Sequence, residues 1–299
     1  MLPNNATAAQ ICVSAQPVDG STPAWQIWRV NEITGEIELE TLGRAREQLG
    51  VMLELVDRGL VRCSAATKKP STATMRLLAE TLPGGDFYVD EHISAFAWPL
   101  LLQAGGLAAG TKLELTARGR AALKKNPDEV LLGLWDRWVR GGVLDELSRI
   151  ETIKGQRRTN TLSGLKNRRF MAAEVLSVLS SRDFTMVTQA YNDSIHAGAH
   201  FTVVRNDMAA FKLYIEDPQY GSLGYAHVDF EALVDRRYLM ALLFEYAATL
   251  GLVDVRYVDP DLAMDDFADL WGVEELVRIS RYDGLRSVRL TALGASVKG

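Results

Sequence analysis

Two nine-residue stretches of this chain follow one pattern: Lys112-Leu-Glu-Leu-Thr-Ala-Arg-Gly-Arg120 and Ser287-Val-Arg-Leu-Thr-Ala-Leu-Gly-Ala295. Each reads as an alternating strand, then a threonine, then a glycine opening a helix of small residues. Each also follows a long apolar segment ending in Gly-Leu, at Gly106-Leu107 and at Gly251-Leu252. A helix, a strand pair and a turn therefore recur, which implies an internal duplication. The 299 residues, 47% of them hydrophobic, are enough for two units that each bury a core. The expected division is a loosely held polar leader at 1–24, a first domain at 25–125, a connecting helix at 126–151, a basic linker at 152–167 and a second domain at 168–299.

The first unit reads helix, strand, helix, helix, strand, turn, strand. Leu49, Met52, Leu53 and Val56 stripe a helix over 42–58 that Gly59 ends. Residues 60–64 alternate as a short strand. Ser71 or Thr72 caps a helix to about Leu82, and Pro83-Gly84-Gly85 breaks it. A third helix covers 90–103, where Pro99 is expected to kink or divide it, and 107–116 folds back around Ala109-Gly110. The second unit repeats the order with insertions: a helix at 168–180, a strand at 184–187, a long helix at 235–250, and strands at 253–257 and 284–290. This order resembles the winged-helix domain, a helix-turn-helix variant with a β-hairpin wing, over residues 40–125 and less tidily over the second half. The expected fold is mainly α with small β-hairpins (α+β), two winged-helix-like domains joined by a helix and a basic linker. The resemblance implies association with DNA.

Charge narrows how such an association could work. Lys and Arg total 33 against 38 Asp and Glu, a net charge of -5, so any contact with a polyanion is local. In a helix-turn-helix the groove-reading helix carries polar and basic residues on its outer face. The segment from Glu91 to Gln103 has neither Lys nor Arg, and its counterpart from Arg236 to Leu250 is basic only in its first turn. Both read as core or partner-contact faces. Two other segments suit phosphate. Lys68 and Lys69, with Ser71, Thr72 and Arg76, surround the start of a helix, whose free N–H groups favour an anion; the same residues also make an ordinary capped, solvated corner. Lys154, Arg157, Arg158, Lys166, Arg168 and Arg169 fall within residues 152–170, which contain no acid. They read either as a flexible basic connector tracking a DNA backbone or as a solvated linker paired with acidic surfaces.

Other segments point to protein contacts. Between Asp254 and Glu275 the chain is strongly acidic, and Phe267, Leu270 and Trp271 fall on one side of a helical turn with acids opposite. These three either cap the core or dock in a basic, apolar-floored groove. Over 128–150 a broad apolar band containing Trp135 and Trp138 packs the two units together or forms a dimer interface.

Enzymatic signatures are sparse. His196 and His200 have an i, i+4 spacing, but Ala197 stands where a zinc-protease motif needs Glu, and Gly198 weakens the helix between them. No phosphate loop or nucleophile elbow occurs. Two cysteines, Cys12 and Cys63, make no disulfide framework, and neither a signal peptide nor a membrane span is evident. The expectation is a cytoplasmic, bacterial, non-enzymatic protein without cofactor, metal site, membrane contact or small-molecule substrate. It is a DNA-associated winged-helix protein making mostly non-sequence-specific backbone contacts; the alternative is a protein-interaction or self-associating scaffold module of the same fold. The ending at Lys298-Gly299, directly after the recurring motif, leaves open that the chain is the front portion of a longer protein.

Overall fold

The computed structural model describes residues 28–30, 34–217, 221–225, 229–261, 263–268, 270 and 276–298. The predicted leader, and Trp271 in the acidic segment, lie outside them. The fold is α+β, with helices and small antiparallel sheets.

β1 (Trp28–Val30) and β2 (Ile37–Leu39) form a hairpin, followed by α1 (Leu42–Asp57), α2 (Thr72–Thr81) and α3 (Ser94–Ala104). The helix boundaries have local causes. Ser71 caps α2 by accepting the Thr74 N–H, and Asp86 reaches across to accept the Ser94 and Ala95 N–H groups that open α3. Pro99 sits inside α3 without dividing it, and every residue from Ser94 to Leu102 is buried. A short hairpin follows, β3 (Ala108–Ala109) with β4 (Glu114–Leu115), then α4 (Ala117–Ala122) and α5 (Pro127–Gly141). The predicted helix over 128–150 thus stops at Gly141, and Glu146–Arg149 forms only a tight 3₁₀ turn.

The segment at 152–167 is not the free linker expected. β5 (Ile153–Lys154) pairs with a later strand, and Leu162 bridges Val204. α6 (Leu165–Ala173), β6 (Thr185–Met186), α7 (Val187–His196) and α8 (Asp207–Ala210) follow, then the hairpin β7 (Tyr214–Asp217) and β8 (Gly221–Tyr225). α9 (Arg236–Ala241) lies between wide π-type turns at Glu231–Asp235 and Leu242–Ala248, making one buried helical rod with α3 packed against its second half. The chain closes with β9 (Val253–Tyr257), β10 (Leu285–Leu290) and α10 (Ala292–Ala295).

The largest sheet runs β1-β2-β9-β10-β6, so the first hairpin of the chain pairs, Ile37 opposite Tyr257, with the last. One continuous core extends from Leu39 to Leu293. The sheet and the core thus run across the boundary expected at 152–167. Buried ion pairs cross that core. Arg149 pairs with Glu245 at 2.9 Å while its guanidinium sits 3.5 Å over the Phe96 ring, and Arg237 pairs with Asp283 at 2.9 Å.

Candidate nucleic-acid interface

The first turn of α2 sits at the end of a tight loop. Ser64 N–H donates to the Lys69 carbonyl at 2.8 Å and Lys68 N–H to the Ser64 carbonyl at 3.0 Å. Lys68 adopts a left-handed φ of 61°, and its carbonyl accepts a 2.9 Å bond from Gln103 Nε2 at the end of α3. The strand predicted at 60–64 is a single ribbon of bridges: Arg62 lies opposite Lys112 of the hairpin, and Cys63 opposite Pro70. Arg62, Lys68, Ser71, Thr72, Arg76 and Lys112 are exposed, and Lys69 is half-buried. Arg62 and Lys112 escaped sequence reasoning because they are isolated cations 50 positions apart; only the alternation of the strand hinted that Arg62 faces outward.

Lys69 ties this corner to the second basic segment. Burial lowers its pKa, and the positive charges of Arg149 and Arg157 lower it further, against Glu151 and Glu245, which raise it. Lys69 and Arg157 are thus near enough for their charges to act on one another. From there the cationic surface continues. The Arg158 guanidinium lies 5.4 Å from the Tyr214 ring centre, the Thr159 carbonyl accepts a 3.0 Å bond from Lys212 Nζ, and Asn160 Oδ1 accepts one of 2.8 Å from Arg205. Arg205 and Lys212 are also additions to the sequence reading, brought in by the turns before and after α8.

Four residues of the second basic segment do not belong to this surface. Arg168 is 2% exposed and bound to Asp145 at 2.6 Å; Arg169 is 1% exposed and bound to Glu146 and the Leu144 carbonyl. Neither guanidinium can reach a phosphate, because both are spent holding α6 against the turn after α5. Lys154 pairs with Glu216 at 2.9 Å along β5 and β7. Lys166 is exposed but lies at the start of α6, beside Arg140 and Phe170.

The predicted protein-interface residues are likewise internal. Trp138 is fully buried, stacked 4.0 Å from Tyr246 and donating its indole N–H to Glu146 at 2.9 Å; Trp135 is 4% exposed. Phe267 is 5% exposed and Leu270 packs part-buried against the same core. Asp266 in that acidic turn binds Arg237 at 2.7 Å, which anchors the turn on α9 and directs its apolar side inward. His196 ends α7 and His200 follows the turn at Gly198, φ +93°, so the two are not on one helix face. Among the described residues no group of three or more His, Cys, Asp or Glu is placed to hold a metal ion, and no helix is long and apolar enough to cross a membrane.

No protein-family model, curated protein or solved structure matches this chain.

Proposed function

We propose that this protein associates with duplex DNA through the phosphate backbone, using the corner built by Arg62, Lys68, Lys69 and Lys112 together with Arg157 and Arg158. Support comes from Lys69, beside the capped start of α2, feeling the charge of Arg157 more than 80 residues away in sequence, and from the exposure of Arg62, Lys68, Lys112, Arg157 and Arg158. Lysines and arginines around free helix N–H groups suit phosphate oxygens and carry no base information. In this reading residues 40–125 are a winged-helix domain whose α3 serves the core. Its buried face has nothing to offer a base edge, so discrimination between sequences is weak.

Fluorescence anisotropy of labelled duplexes tests the reading. Duplexes of unrelated sequence should bind alike in 50 mM salt, and affinity should fall steeply by 200 mM as condensed counterions compete. Absence of binding in 50 mM salt contradicts the reading, as does a strong preference for one sequence.

A further inference from the structure

Beside α8, Asn160, Arg205, Asn206, Met208, Ala209 and Lys212 line an open cavity of about 430 Å³. The duplex surface proposed above uses none of them. No carboxylate lines the cavity; Asp207, next to Asn206 in sequence, is exposed and does not line it.

The hydrogen bonds already made by the walls decide what fits between them. Asn160 Oδ1 accepts a 2.8 Å bond from Arg205, and Asn206 Oδ1 a 3.0 Å bond from the Ala209 N–H. With both amide oxygens engaged, each amide NH2 keeps two N–H groups that donate to nothing among the described residues. Lys212 Nζ gives one N–H to the Thr159 carbonyl at 3.0 Å, and Arg205 gives part of its guanidinium to Asn160, so both retain donors too. Neither cation has a carboxylate partner among the described residues. The polar walls therefore present two positive charges and spare donors from four side chains.

Such walls select an anion with more than one charge and several terminal oxygens. A carboxylate, with one charge and two oxygens, leaves donors idle. A phosphate monoester brings three terminal oxygens and a charge of about -1.5 to -2 at pH 7. The cavity also has the size of a small-ligand site, roughly 300 to 1,000 Å³, so it has room for an organic body behind the phosphate. Met208, 75% exposed, and Ala209 give that body an apolar contact, and a thioether packs favourably on an aromatic ring. We infer that this cavity binds a phosphate monoester joined to an aromatic base, the chemistry shared by a free nucleotide and the 5′-phosphorylated end of a strand.

Isothermal titration calorimetry of the full chain in 150 mM salt tests the site, with thymidine 5′-monophosphate as the probe and thymidine as its control. The monophosphate should bind at least tenfold more tightly. Arg205→Ala and Lys212→Ala should each weaken it at least tenfold with an unchanged circular dichroism spectrum. Asn160→Gly removes an amide while suiting the left-handed φ of 57° at that position, and should weaken it several-fold. Arg157→Ala/Arg158→Ala should bind it as the parent does, which separates this site from the duplex surface. A thymidine octamer with and without a 5′-phosphate distinguishes the two sources. Tighter binding of the phosphorylated octamer than of the mononucleotide gives the site to strand ends, and weaker binding gives it to free nucleotides. The inference is overturned if the monophosphate binds no better than thymidine, or if Arg205→Ala and Lys212→Ala leave its affinity intact. It is also overturned if both octamers bind as tightly as the mononucleotide, because backbone phosphodiesters then suffice.

Discussion

Thr116 and Thr291 do the same work at the two recurring motifs. Each hydroxyl donates at 2.7 Å to a glycine carbonyl, of Gly106 and of Gly251, and accepts at 3.0 Å from the glycine three residues on. Those glycines, Gly119 and Gly294, leave no room for a side chain: a Cβ would come within 2.1 Å of the Leu107 carbonyl and 1.9 Å of the Leu252 carbonyl. Gly106 and Gly251, with φ of +67° and +72°, meet a different demand, the left-handed turn that ends each preceding helix. We expect Gly294→Ala to cost about 1–3 kcal/mol through overpacking against backbone. Thr291→Ala should cost about 1 kcal/mol through the lost cap. Urea unfolding measures both, and a neutral Gly294→Ala would refute the steric account. A second residue carries a pH dependence. Asp235 is buried, which raises its carboxyl pKa to about 7 despite the Val203 N–H it accepts at 2.7 Å. Because the folded state holds this proton more tightly than the unfolded chain, Asp235 lowers stability as pH rises from about 4 to about 7, and the loss is complete above that. Asp235→Asn keeps an acceptor for Val203 and should flatten that part of the stability–pH curve; an unchanged slope would contradict the assignment.

At the scale of elements, the proposed DNA association leaves α3 out of the interface. Its lack of Lys and Arg marked it as interior, and Ser94 to Leu102 are indeed buried. Leu101→Ala should therefore cost about 2–5 kcal/mol of stability, while the affinity of the folded protein for duplex stays the same. A variant that alters DNA affinity without destabilising the fold would instead place α3 at the interface. Much at this scale was legible in the sequence, because helix α1 and the Ser71 cap rest on contacts between near neighbours, and the alternating apolar residues of β9 mark a strand whatever it pairs with. What was hidden depends on distant partners. Arg168 and Arg169 read as free cations because Asp145 and Glu146, which neutralise them, belong to a segment read as the end of a long helix. Trp135, Trp138 and Phe267 carried the signature of a contact surface, and that surface is the chain's own interior.

Across the whole molecule, the two recurring motifs end in corners with the same threonine–glycine bonding, and the packing joins the segments that carry them. The first hairpin pairs with the last, and α3 packs on the rod containing α9, so both ends of the chain meet in one core. Within it, β5 pairs with β7, and Lys69 of the first basic segment feels the charge of Arg157 of the second. The central claim is that these two segments form a single DNA-contacting surface. It is tested most directly by the salt dependence of duplex affinity in four proteins: the parent, Lys68→Ala/Lys69→Ala, Arg157→Ala/Arg158→Ala, and the quadruple variant. The slope of log affinity against log salt should lessen by about 1 for each phosphate-contacting cation removed. The account predicts that both pairs lower it and that the quadruple variant has the shallowest slope. Equal slopes in all four proteins would contradict it.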